Sequence, residues 1–151
     1  MRKIAKLAHR FVEFIPEGID EGVLYVSMDH ATAIHKCCCG CGNEVVTPLS
    51  PTDWTLIYDG TSITLHPSIG NWGSACQSHY WIRGDSVIWA GRWSKKRIEA
   101  ARLAARIAKK EHVYLIAQSE SQLTPAHDDQ KPNPAAEANK LPRQLKNRSG
   151  S

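Results

Sequence analysis

From residue 11 to 93 the alternation of apolar and polar positions is that of short strands and turns. "VLYVSM" (23–28) and "WTLIY" (54–58) are dense in β-branched and aromatic residues, which suit a pleated, half-buried surface. Asp59-Gly60 stands between "WTLIY" and "SITLH" as a hairpin signal. "SHYWI" (78–82) and "SVIWA" (86–90) flank Arg83-Gly84-Asp85, a second hairpin in which Gly84 is free to take a positive φ. Pro16, Pro48, Pro51, Pro67, Gly70 and Gly73 interrupt any long helix in this part. The pattern predicts a mainly β fold, a small antiparallel domain shaped as a partly closed barrel or a sandwich.

The pattern changes at Ser94. "SKKRIEAARLAARIAKKEH" opens on an N-capping serine and places Ala100, Leu103, Ala104 and Ile107 on one helical face. Arg102, Arg106 and Lys110 recur on another face, read first as the solvated side of a docked helix and second as a basic contact for a partner or nucleic acid. Beyond Gln118 the chain is rich in Pro, Asn, Gln and Ser without periodicity, so a disordered tail is expected. The expected organisation is a β domain over 1–93, a basic amphipathic helix over 94–117 packed on or beside it, and a tail over 118–151, with no internal repeat.

The 151 residues fit one domain with appendages. The net charge of +4 hides an uneven distribution: +4 over residues 1–10, −6 over 11–93, +5 over 94–117 and +1 beyond. An acidic body argues against a domain that lies flat on nucleic acid and leaves only the basic helix for that role. No stretch reaches the roughly 18 apolar residues of a membrane span, and "MRKIAKLAHRFVEF" breaks its apolar run with Lys6, His9 and Arg10, unlike a secretory signal. A cytoplasmic protein without membrane contact is expected. In that reducing compartment clustered cysteines are metal ligands or redox groups more often than disulfide partners.

Four of the five cysteines fall within "CCCGC", residues 37–41, and the fifth, Cys76, forms a C-x-x-H pair with His79. A tight group on one turn and a second group from elsewhere in the fold is how zinc is commonly held. Adjacent residues of an extended segment point to opposite sides, so Cys37, Cys39 and Cys41 can share a side while Cys38 points away. The candidate ligands are therefore Cys37, Cys39, Cys41, Cys76 and His79, one of them spare. A Cys38–Cys41 knuckle and a metal-free thiol cluster stay open as alternatives. Several thiolates around one ion weaken its Lewis acidity, which favours a structural zinc that pins two loops.

"LHPSIGNW" (65–72) places Ser68 near His66 and upstream of His79. Ser68 as nucleophile with His66 or His79 as base is one reading, and a turn in which Ser68 and Asn71 bond nearby backbone is the plainer one. A zinc-bound His79 would be lost as a base. Trp54, Trp72, Trp81, Trp89 and Trp93 are core candidates, with one or two left for a protein-binding surface near the metal.

Residues 35–90, through "CCCGCG", "PSIGN" and "CQSHYWI", resemble a small bacterial family of domains of unknown function that share CxCGCG, PSIGN and C-x-SHYWI segments. Cys38 stands where that family's pattern has a non-thiol residue. Members are encoded beside ubiquitin-like proteins and E1-like and E2-like enzymes. The resemblance implies an accessory role in such a pathway, in phage defence, with the ubiquitin-like modifier or its E1-like or E2-like enzymes as partners. The leading expectation is a zinc-binding protein that acts by protein–protein recognition. The alternatives are a hydrolase or peptidase that processes or removes the modifier through Ser68 and a nearby histidine, and nucleic-acid binding through the helix.

Overall fold

The computed structural model describes residues 2–123. Eight strands precede one helix: β1 (Ala8–Phe11), β2 (Val23–Ser27), β3 (Thr32–Lys36), β4 (Glu44–Pro48), β5 (Thr55–Tyr58), β6 (Ile63–Gly70), β7 (His79–Arg83), β8 (Ser86–Trp89) and α1 (Lys95–Leu123). The strands form two four-stranded sheets, β1-β2-β3-β4 and β5-β6-β7-β8, so the fold is mainly β without a closed barrel. Neighbours pair antiparallel apart from β1 and β2, which run parallel from Ala8↔Val23 to Phe11↔Val26. That pair departs from the antiparallel pattern because residues 12–22 form a connection long enough to return the chain to the same end of the sheet.

Both expected hairpins are present. Between β5 and β6 the Asp59 carboxylate accepts the backbone N–H groups of Thr61 and Ser62 at 2.8 and 2.6 Å, and Gly60 takes φ +92°. Between β7 and β8, Gly84 and Asp85 both have positive φ. Asp85 is buried and ties three segments: its carboxylate accepts the Ile63 N–H at 2.8 Å and faces His9 Nδ1 at 3.1 Å.

The two sheets share one core. Leu24, Val26 and Ala33 from the first meet Ile63, Leu65, Ile69, Tyr80 and Ile82 from the second. In β7 this turns Tyr80 and Ile82 inward, and strand alternation therefore turns His79 and Trp81 to the outer face. Between Leu65↔Ile82 and Ile69↔Tyr80 the β6 register shifts, a bulge that contains Ser68. At the centre of the core His35 Nε2 and the Tyr80 hydroxyl are 2.8 Å apart, both side chains fully buried. Burial drives the His35 pKa down to about 4, so the ring is neutral at physiological pH.

α1 continues past the expected end at 117 to Leu123; residues 124–151, the remainder of the expected disordered tail, lie outside the described residues. Ser94 caps it, its hydroxyl accepting the Arg97 N–H at 3.3 Å. The helix stands beside the sheets rather than burying its apolar stripe: Leu103 and Ile107 are 52% and 48% exposed. Its attachments include a 2.7 Å ion pair from Lys109 to Asp53 and the stacking of Arg97 on Trp93. Among the described residues no helix is long and apolar enough to cross a membrane.

Replacing Tyr80 with phenylalanine strips the one hydrogen-bonding partner that buried His35 has in this core. The expected cost is about 1–3 kcal/mol of stability, read as a lower urea midpoint with an unchanged slope.

Candidate functional site

Two groups of side chains meet at the connection between β6 and β7. The first is sulfur. The turn after β3 is closed by Cys37 N–H bonding to the Asn43 carbonyl at 2.7 Å and Gly40 N–H to the Cys37 carbonyl at 3.0 Å, with Gly40 and Gly42 in the left-handed region that a side chain rarely adopts. This wrap brings the Sγ atoms of Cys37, Cys39 and Cys41 together, and the 71–78 connection adds Cys76; all four lie within 4.8 Å of one another. A tetrahedral thiolate set with metal–sulfur bonds of about 2.3 Å has sulfurs about 3.8 Å apart, so small side-chain rotations would close the group on one ion. Cys38 is fully buried in the core, where desolvation pushes its thiol up to about 12.

The chemistry of the four sulfurs fits a cation. Burial alone would raise Cys76, but hydrogen bonds from Ser78 and then from the Cys39 and Cys41 thiols outweigh it and bring the thiol down to about 7. Cys39 moves the other way, raised by desolvation and by the neighbouring sulfurs. Four thiols at this spacing ionise together only when a positive charge lies among them. The group can therefore hold a metal ion, and four sulfurs complete a tetrahedron without an open position.

The second group is a serine and a histidine on the outer face of the second sheet. Ser68 Oγ, on the β6 bulge, is 2.9 Å from His79 Nε2, on the first residue of β7. His79 Nδ1 is 2.9 Å from the Gly91 carbonyl, which can only accept, so in the neutral ring Nδ1 carries the proton and Nε2 presents its lone pair to the serine hydroxyl. Gly91 is held there because the preceding Ala90 N–H donates to the His79 carbonyl at 2.9 Å. Trp72, Trp81 and Trp93 surround the imidazole with ring centroids 5.0, 5.6 and 5.0 Å away, and leave His79 only 4% exposed. Trp72 lies across Gly70, where a Cβ would collide with the indole.

Residues 11–90 match the model of a family described as the bacterial ubiquitination-like system serine protease, BubE. The chain belongs to the BubE family. Curated proteins and solved structures gave no match. The BubE match takes in Ser68, His79 and all five cysteines, and ends before Gly91, Trp93 and α1.

Of the residues singled out in the sequence, the structure gathers Cys37, Cys39, Cys41 and Cys76, and separately joins Ser68 to His79. His79 stands apart from the sulfurs. His66 is exposed on β6 opposite Thr55, and among the described residues it makes no hydrogen bond to Ser68. Sequence reasoning overlooked Ser78 and Gly91, and it named Trp93 only among five tryptophans without placing it beside His79. Ser78 Oγ is 3.1 Å from Cys37 Sγ and accepts from Asn71 Nδ2 at 2.7 Å, so it faces the thiols. The signal that separates the two is strand alternation: with Ser78 turned to the sulfurs, the next residue turns away.

Purified protein is expected to carry one metal ion, counted by elemental analysis and native mass spectrometry. Cys39→Ser and Cys76→Ser lose it, while Cys38→Ser and His79→Ala keep it. Because the sulfurs would bind as thiolates, protons compete with the ion for them and retention weakens as pH falls. A proton-competition titration with a chromophoric chelator reads that sign directly.

Proposed function

We propose that this BubE chain is a serine peptidase that cleaves a ubiquitin-like modifier, either trimming its precursor or releasing it from a conjugate. The observation that carries the reading is the 2.9 Å approach of Ser68 Oγ to an imidazole nitrogen whose partner nitrogen is fixed on a backbone carbonyl. The family description, a serine protease of a bacterial ubiquitination-like system, supports the same chemistry and supplies the class of substrate.

The steps follow from the geometry. Ser68 Oγ attacks the scissile carbonyl as its proton passes to His79 Nε2. The Gly91 carbonyl accepts from Nδ1–H throughout, which orients the ring and favours the imidazolium that forms, the part a carboxylate plays in triads. The protonated Nε2 then gives its proton to the departing amine, leaving an ester on Ser68. A water, deprotonated by the same nitrogen, hydrolyses the ester and restores the hydroxyl. The base is assigned to His79 in preference to His66 because His79 is the imidazole that Ser68 reaches.

Zinc, bound by Cys37, Cys39, Cys41 and Cys76, would be structural. The four thiolates leave it no open position, and its service is to fix the 71–78 connection that leads into His79. The cytoplasm, where these thiols stay reduced, is the proposed location. The recognition role expected from the aromatic content becomes the binding half of the peptidase, since three of the five tryptophans enclose the catalytic ring. Nucleic-acid binding through α1 has only its basic residues in support.

Incubation with a precursor of the modifier carrying a C-terminal extension tests the proposal. Ser68→Ala and His79→Ala are expected to lower the single-turnover cleavage rate at least ~1,000-fold with metal content unchanged, and His66→Ala less than about threefold. Cleavage that survives Ser68→Ala would refute it.

A further inference from the structure

Beside the imidazole, where Nδ1 faces the Gly91 carbonyl, there is an open cleft of about 240 Å³ whose lining includes His79, Trp81, Gly91, Arg92, Trp93 and Arg97. Apart from His79, Trp81 and Ala90 its lining lies outside the family match, because Gly91, Arg92, Trp93 and Arg97 all follow residue 90. Its charge is unlike that of its surroundings. Residues 11–93 sum to −6, yet this cleft beside His79 is lined by two arginines, Arg92 of that segment and Arg97 of the basic helix. Among the described residues neither Arg92 nor Arg97 has a carboxylate partner.

Arg97 is not a loose surface cation. The Ser94 cap fixes the first turn of α1, and the guanidinium lies 4.1 Å from the centroid of Trp93, whose ring meets the His79 imidazole edge-on at 5.0 Å. A guanidinium held over an indole face loses little freedom when it pairs, and its N–H donors can still reach a carboxylate. Trp72 stacks on Trp93 with centroids 5.5 Å apart, which restrains the turning of the Trp93 ring.

The direction of proton transfer says which side of the substrate reaches this cleft. His79 Nε2 hands its proton to the departing amine, so the leaving segment crosses the imidazole while the acyl part stays on Ser68. The residues just after the cleaved bond are therefore those that meet the Arg97 side.

Resting on the peptidase reading, we propose that this cleft is the leaving-side specificity pocket, that it takes an aspartate or glutamate close after the scissile bond, and that Arg97 sets the preference. The acidic group can belong to the extension of a modifier precursor or to the protein from which the modifier is released.

The test profiles cleavage sites of a randomised peptide library by mass spectrometry for the intact protein, Arg97→Glu and Arg97→Lys. An ion pair open to water changes rates by a factor of about five, so acidic residues should be enriched about fivefold on the leaving side. Arg97→Glu should turn the preference to lysine and arginine, and Arg97→Lys should keep part of the acidic preference. Cleavage by all three proteins with one common profile overturns the pocket and leaves the peptidase reading intact. In parallel, the indole N–H signals of Ser68→Ala are followed by NMR during titration with acetyl-Ala-Asp-Ala-amide and with its lysine counterpart. A Trp93 shift with the aspartate peptide alone, abolished by adding Arg97→Ala, supports acid binding even when nothing is cleaved, and in that case only the peptidase reading falls. Absence of both cleavage and shift removes both.

Discussion

Cys76 stands three residues before His79, and its sulfur lies among those of Cys37, Cys39 and Cys41, which ties the segment leading into β7 to the turn after β3. The connection from Asn71 to Ser78 has little core of its own; its ends are joined by the Asn71 N–H to Ser78 carbonyl bond at 2.8 Å, and its middle is bent by two further backbone bonds. What holds it to the first sheet is the sulfur group, with Asn71 and Ser78 bonded to Cys37 from the same side. A four-thiolate metal centre at this point would be a crosslink between the end of β3 and the start of β7. It would limit the motion of the segment that carries both Trp72 and His79 toward Ser68.

β7 thereby serves two centres on opposite faces. Residue 78, just before the strand, turns to the sulfurs, 79 to the serine, and 80 to the core, where Tyr80 meets His35 and Asn71 Nδ2 lies 3.5 Å from the same hydroxyl. Alternation at a period of two makes this possible in three consecutive residues. The β6 bulge supplies the matching adjustment on the other strand, raising Ser68 on the outer face beside His79 while Ile69 stays in the core. The Ser68–His79 pair is completed by a backbone carbonyl from the segment after β8, so two strands and that segment converge on one hydroxyl.

Much of the fold was legible in the sequence. Asp59-Gly60 and Gly84-Asp85 mark turns whose chemistry is local, and Ser94 marks a helix start for the same reason. The parallel β1–β2 pair was not legible, because it depends on a long connection without a local signature. The helix itself was legible and the exposure of its apolar face was not: Leu103 and Ile107 have helical spacing, but spacing cannot tell whether a surface waits to cover them. At the site, the thiol cluster could be read because ligand density on a short turn is itself the signal. The placement of His79 beside Ser68 could not be read from C-x-x-H spacing, since three residues place a side chain on either side of the chain depending on where the strand begins. Gly91 contributes a carbonyl, and every residue has one.

The central claim is that the sulfur-bound crosslink assembles a reactive serine at position 68. A fluorophosphonate probe with peptide mapping measures this most directly, on metal-replete protein and on protein stripped by chelation under reducing conditions. The account predicts a single adduct on Ser68 in the replete protein and its loss in the stripped one, with recovery when zinc is restored. An adduct on another residue, or labelling of Ser68 undiminished after the metal has been shown to be gone, would contradict it.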